Sequence, residues 1–159
     1  MPIMDEQLLF CESMSIAGSA GTATTSTDLV YIPQVKDHTG TSQNDRPFLN
    51  QNLNLNCVVE DEDMLAAADG SIVTFALYAD TDATTVSTDG DVIITQAITE
   101  NTPSDHPDGT QLFSVPIPIS TMNPYLELKV SVATQALSTG KITAWIGPPI
   151  QQGGEHGAL

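Results

Sequence analysis

Residues 125–133 read Tyr-Leu-Glu-Leu-Lys-Val-Ser-Val-Ala. Leu126, Leu128, Val130 and Val132 fall on one side of an extended chain, and Tyr125, Glu127, Lys129 and Ser131 on the other, because successive side chains of a strand point to opposite faces. Wound as a helix, the same apolar residues would fall on two opposite sides and form no single apolar face, so the segment decides for β-structure. The period recurs at 53–60, where Leu53, Leu55, Cys57 and Val59 alternate with Asn54, Asn56, Val58 and Glu60.

Working outward, further runs of strand character lie at about 7–17, 22–32, 71–79, 91–99, 111–119 and 141–147. Turn chemistry separates them: Ala17-Gly18-Ser19-Ala20-Gly21, Asp69-Gly70, Asp89-Gly90-Asp91 and Asp108-Gly109. Ser138-Thr139-Gly140 reads as a hairpin turn between the seventh and eighth strands. Eight short strands with polar turns predict an all-β, antiparallel β-sandwich of jelly-roll type. Residues 33–50, with Pro33, His38, Gly40, Asn44 and Pro47, lack periodicity and read as one long loop. Residues 60–69 read as one helical turn or a bulged connection. The organisation is therefore one jelly-roll domain over 7–147, an N-terminal arm over 1–12 that runs into the first strand, and a flexible tail over 148–159.

A length of 159 residues suits one core, and 40% hydrophobic residues suffice to build it without staples. The charge balance is lopsided, 4 Lys+Arg against 20 Asp+Glu, net −16. So few cations cannot neutralise a run of phosphates, and the chain's own field repels nucleic acid and anionic lipid. Neither is expected as a partner. Cys11 and Cys57 allow at most one bridge and form no CxxC pair; both read as small buried thiols. The acidic start Met-Pro-Ile-Met-Asp-Glu is unlike a secretory leader, and the longest apolar runs, such as 72–79, fall far short of a membrane helix. The expectation is a soluble chain made in a cell's cytoplasm.

Three groups of residues are candidates for chemistry. The serines form no Gly-x-Ser-x-Gly elbow. His38, His106 and His156 stand apart from one another and from any cysteine at ligand spacing, and read as solvated loop residues. Glu60-Asp61-Glu62-Asp63, Asp80/Asp82 and Asp89/Asp91 read first as an acidic rim that keeps the protein soluble. Calcium at these loops is the second reading, although none has the closed EF-hand pattern. With aromatics at 5% and one tryptophan, a sugar-cleaving cleft has little to be built from. The chain reads as a non-enzyme with no cofactor and no assigned metal site.

Binding remains. Three strands carry apolar residues on both faces: Ile72, Ala76 and Tyr78 oppose Val73, Phe75 and Leu77; Ile93 and Ala97 oppose Val92, Ile94 and Ile98; and Ile142, Ala144 and Ile146 oppose Thr143 and Trp145. One face is covered either by the chain itself or by another subunit.

Several segments resemble one family. Tyr125-Leu-Glu-Leu-Lys-Val-Ser-Val-Ala, then Leu137-Ser-Thr-Gly-Lys-Ile-Thr-Ala-Trp-Ile, is similar to the end of the jelly-roll cement proteins that decorate the heads of tailed double-stranded DNA phages. Val73-Thr-Phe-Ala-Leu-Tyr-Ala-Asp-Thr-Asp-Ala looks like that family's central strand and its Ser/Thr-Asp-rich loop. Leu9-Phe-Cys-Glu-Ser-Met-Ser-Ile and Leu29-Val-Tyr-Ile-Pro look like its opening strands. Asn123-Pro124 stand where the family often has arginine, and 33–50 looks like an extension. The resemblance implies a structural protein on the outer surface of the expanded head, bound to the major capsid protein at local threefold junctions and trimeric there. On that reading the shell-gripping residues are Ile3, Leu8, Leu9 and Phe10 of the arm, Arg46, Pro47 and Phe48 of the long loop, and Ile150 of the tail. Arg46, the sole arginine, either pairs with a capsid carboxylate or is a solvated loop charge. Tyr125 and Trp145 are assigned to the core or a trimer seam. The alternative is a receptor- or glycan-binding sandwich of a tail fibre or adhesin.

Overall fold

Segment 125–133 lies in the middle of a five-stranded sheet, with Leu128 directly opposite Leu77 of the neighbouring strand and both fully buried. The computed structural model describes residues 8–32, 53–118 and 123–150, and the backbone of 35–36 and 42–43. The elements are β1 (Leu9–Ser15), β2 (Ala23–Thr25), β3 (Val30–Tyr31), β4 (Val35–Lys36), β5 (Ser42–Gln43), β6 (Asn54–Val59), β7 (Leu65–Ala66), β8 (Ser71–Asp80), α1 (Val86–Asp89), β9 (Asp91–Glu100), β10 (Gln111–Pro116), β11 (Tyr125–Ala133), β12 (Leu137–Thr139) and β13 (Lys141–Gly147).

Two antiparallel sheets face each other. One has the order β1-β13-β6-β10; the other has β2-β11-β8-β9, with β3 also paired to β11. With β2 and β3 counted as one broken strand, the first sheet holds the first, eighth, third and sixth long strands, and the second holds the second, seventh, fourth and fifth. This is the wrapping order of a jelly roll. All eight strands expected from the sequence are present, and the alternation sorts as expected. Leu55, Cys57, Val59, Val73, Phe75, Leu77, Leu126, Leu128, Val130, Val132, Ile142, Ala144 and Ile146 all point into one core, each at most 3% exposed. Each such leucine or phenylalanine contributes roughly 1.5–3 kcal/mol by leaving water. Phe75 and Phe113 lock the two sheets edge to face, with ring centroids 5.2 Å apart.

Two local expectations are corrected. Ser138-Thr139-Gly140 is not a hairpin, because β11 and β13 belong to different sheets. Both sides of β11 are occupied, by β8 and by β2 with β3, so no edge is left for β13. Residues 137–139 instead form β12 and pair with β7. Residues 60–69 hold that short strand rather than a helical turn, since Met64 and Ala66 are buried at alternate positions and fix the extended period. The helical turn lies at 86–89, after an Asp80/Asp82 loop.

Gly140 has φ +146°, and a Cβ there would lie 3.1 Å from Met64 Cγ and 3.4 Å from Ile16 and Leu137. A glycine is needed where β12 turns tightly into β13 over the core.

Candidate functional site

The two ends of the sandwich are built differently. At one end lie the connections 16–22, 60–70, 101–110 and 134–140, laced together by hydrogen bonds between loops. Ser13 Oγ donates to Asp61 at 2.5 Å, and the Asp61 amide donates to Asp108 at 3.0 Å. The Asp108 amide donates to Asp63 at 2.6 Å, and Thr143 donates to Glu60. Asp69 accepts from the amide and hydroxyl of Thr102 at 2.7 and 2.5 Å, which lowers its pKa below the usual carboxylate value. The deepest member is Glu100, fully buried, which accepts from the Asp105 amide at 2.5 Å and faces His106 Nδ1 at 2.5 Å. At this end Glu60, Asp61 and Asp63 thus serve as staples, rather than as a solvated rim alone. Among the described residues no three His, Cys, Asp or Glu side chains gather in a metal-binding group.

The opposite end is where the chain leaves the sandwich. Antiparallel register places Leu9, Gly147, Asn54 and Pro116 at the same end of the first sheet. Tyr31, Asp80 and Tyr125 close that end of the second sheet. The N-terminal arm, both ends of the 33–50 loop and the C-terminal tail therefore all attach here, together with α1. Segments far apart in sequence converge because the jelly roll pairs the first strand with the last. In the long loop, β4 and β5 pair with each other, Val35 opposite Gln43 and Lys36 opposite Ser42.

Of the residues expected to grip a partner, Ile3, Arg46, Pro47 and Phe48 lie outside the described side chains. Leu8 and Leu9 are half-buried at the start of β1, with Leu8 packed on the edge of the core. Phe10 is corrected. It is 0% exposed and belongs to the core, because irregular register with β13 turns both Phe10 and Cys11 inward. The reading of 148–159 as a flexible tail needs amendment at its start, since Pro148–Ile150 is held on the first sheet. Asn56 Nδ2 donates to the Pro148 carbonyl at 3.1 Å, and the Ile150 amide donates to Ser114 Oγ at 3.3 Å. Ser114 in turn donates to Asn56 Oδ1 at 2.7 Å and accepts from Asn54 Nδ2 at 2.9 Å.

The alternation pattern does not disclose this network, because it sends Asn54 and Asn56 to the surface. They are 7% and 0% exposed. The one hint is a pair of asparagines on the outward side of a strand otherwise rich in apolar residues.

Tyr125 and Trp145 are not brought together. Tyr125 lies on the outer face of the second sheet with its ring 4.9 Å from that of Tyr31, which is 51% exposed. Trp145 points outward from the first sheet, beside Gly147. His38 and His156 also lie outside the described residues. Cys11 and Cys57 are buried and free; burial pushes the Cys11 thiol up to about 12 and that of Cys57 well above its ordinary value. Among the described residues no helix is long and apolar enough to cross a membrane.

No family model matches the sequence, and no curated protein matches it. Among solved structures, the chain is similar to one of the infectious bursal disease virus Gx strain, with a TM-score of 0.32 and 13% identity. The match covers 94% of this chain and 32% of the viral one, so the chain spans about a third of that protein's length.

Proposed function

We propose that this chain is a non-catalytic structural protein of a virion, a cement protein on the outer surface of a tailed phage head. The observation that carries the reading is the convergence of arm, long loop and tail at one end of a jelly roll whose other end is laced shut. Such a molecule offers one gripping end and one closed end, which suits a part seated on a larger surface. The family resemblance of 9–16, 29–33, 73–83, 125–133 and 137–146 points the same way.

On this reading the gripping end meets the major capsid protein at local threefold junctions, and three copies gather there. Internal DNA pressure pulls shell subunits apart, and a protein that bridges a seam adds interactions that break only when the seam opens. Modest grips made by three segments at once reinforce each other through effective concentration. Affinity for the expanded lattice alone stabilises that state by the difference in binding. The −16 charge keeps the outer surface of DNA-filled heads from aggregating and from adhering to nucleic acid.

The test is co-sedimentation of the purified chain with expanded and unexpanded shells that lack it. Saturable binding to expanded shells, raising the temperature at which they release DNA, is expected. Binding to neither shell, with binding to host surface glycans instead, would transfer the chain to the receptor-binding class.

A further inference from the structure

Among the described residues, strand β9 leaves one long edge unpaired. It ends the five-stranded sheet and, among the described residues, is hydrogen-bonded along its length to β8 alone. Between its terminal acids, residues 92–99 read Val-Ile-Ile-Thr-Gln-Ala-Ile-Thr, without a charge, in a chain of net −16. Edge strands are ordinarily protected by lysine, proline, inward charges or bulges. Here the protections sit at the two ends: a bulge at Ile93, where Leu77 pairs with Ile94 and Tyr78 with Val92, and the inward-pointing Glu100. From Ile94 to Thr99 the edge is regular. Just inside it, Ile94 and Ile98 of β9 and Leu112 and Val115 of β10 are only half-buried against the core. The sandwich is thus incompletely closed along this side.

We propose that β9 pairs antiparallel with β9 of a second copy, about a two-fold axis through Gln96, to make one continuous sheet across two sandwiches. The strand is complementary to itself in that register. Ile94 falls opposite Ile98 twice, on the core side, where both are incompletely covered. Thr95 falls opposite Ala97 twice, on the outer side, where both are exposed. Gln96 meets Gln96 of the second copy, and two facing amides can satisfy each other as donor and acceptor. The terminal acids lie outside the regular stretch, Asp91 beyond the bulge and Glu100 buried in its own chain, so no two carboxylates face each other. Charge argues for the same partner at the same place: two −16 chains repel over most of their surfaces, and this neutral strip is where they approach most cheaply. Two-fold self-contact of this kind is the commonest form of closed assembly. It is separate from the threefold clustering proposed above and does not rest on the head-decoration reading.

The test uses the full chain in sedimentation velocity over a concentration series, together with oxidation of a Gln96→Cys variant. The native cysteines are buried, so the introduced thiols report alone. Directly opposed strand residues sit about 4.5–5.5 Å apart at Cβ, close to disulfide reach. A monomer–dimer equilibrium that strengthens with salt, and a covalent dimer from Gln96→Cys but not from Thr99→Cys, are expected. The double variant Thr95→Asp/Ala97→Asp, at exposed positions that spare the fold, sets carboxylates against each other and weakens association about tenfold or more. A chain monomeric at every concentration overturns the proposal. So does a dimer that survives the double variant, or one in which Thr99→Cys cross-links as readily as Gln96→Cys.

Discussion

Glu100 carries a fully buried carboxylate whose Oε2 lies 2.5 Å from Nδ1 of His106, itself only 24% exposed. The pair joins the end of β9 to the loop that leads into β10. That loop also bridges to Met64, across His106, and Ser104 donates to the Met64 carbonyl. The Glu100–His106 contact therefore braces the 101–110 loop, and the Met64 contacts tie that loop to 60–70. Replacing His106 by alanine strands an oxygen of a buried carboxylate. The expected cost is roughly 2–4 kcal/mol, towards the low side for a broken buried pair because His106 retains some water contact. Urea unfolding reads it directly, and an unchanged midpoint would show that the pair is incidental.

Asp69 predicts an acid-side effect at the same end. Its hydrogen bonds from the Thr102 hydroxyl and amide favour the carboxylate and lower its pKa from 3.8. A lowered folded pKa contributes stability that is present above the unfolded value and lost as pH falls through the folded one. Asp69→Asn is therefore less stable than the parent near neutrality, and the gap closes as the solution is acidified below 3.8. Unfolding midpoints of both chains across that range measure it; a gap that persists or widens contradicts the assignment.

The two cysteines are expected to be inert. Burial raises the Cys11 pKa to about 12 and that of Cys57 well above its ordinary value, so neither supplies thiolate near neutral pH. Iodoacetamide at mildly alkaline pH should label neither in the folded chain and both after unfolding, as read by mass spectrometry. Rapid labelling of Cys11 in the folded state would mean that the core opens between β1 and β13, and of Cys57 that it opens around β6.

The N-terminal arm can be cut at a defined place. Removing residues 1–7 leaves β1 whole, so the sandwich should melt as before while shell binding weakens. Removing 1–10 also deletes Phe10 from the core, which costs about 3–5 kcal/mol for the side chain alone and should unfold much of the population. Thermal melting and shell co-sedimentation of the two truncations separate these effects. Normal shell binding by the chain lacking 1–7 would remove the arm from the gripping end.

The strands are legible in the sequence because period-two alternation and core burial coincide wherever a strand is covered on one face only, as at 125–133 and 71–80. The connections are less so. Ser138-Thr139-Gly140 has hairpin chemistry, yet hairpin chemistry is local, and it is β11's two occupied edges that send the chain into the other sheet. Phe10 reads as part of an arm because a strand start and an arm look alike in sequence; irregular pairing with β13 is what turns it inward. Asn56 escapes the pattern because alternation separates the faces of a strand but does not reveal that Pro148–Ile150 folds back over one of them. The convergence of arm, loop and tail is beyond any local pattern, since it follows from which strands pair.

That this chain is a repeated part of a virus shell is tested most directly by counting it. Quantitative mass spectrometry of purified particles gives its copy number relative to the major shell subunit. One copy per shell subunit, or a simple fraction of that, is the predicted result. A handful of copies per particle, as a tail part would show, or none at all, would contradict it.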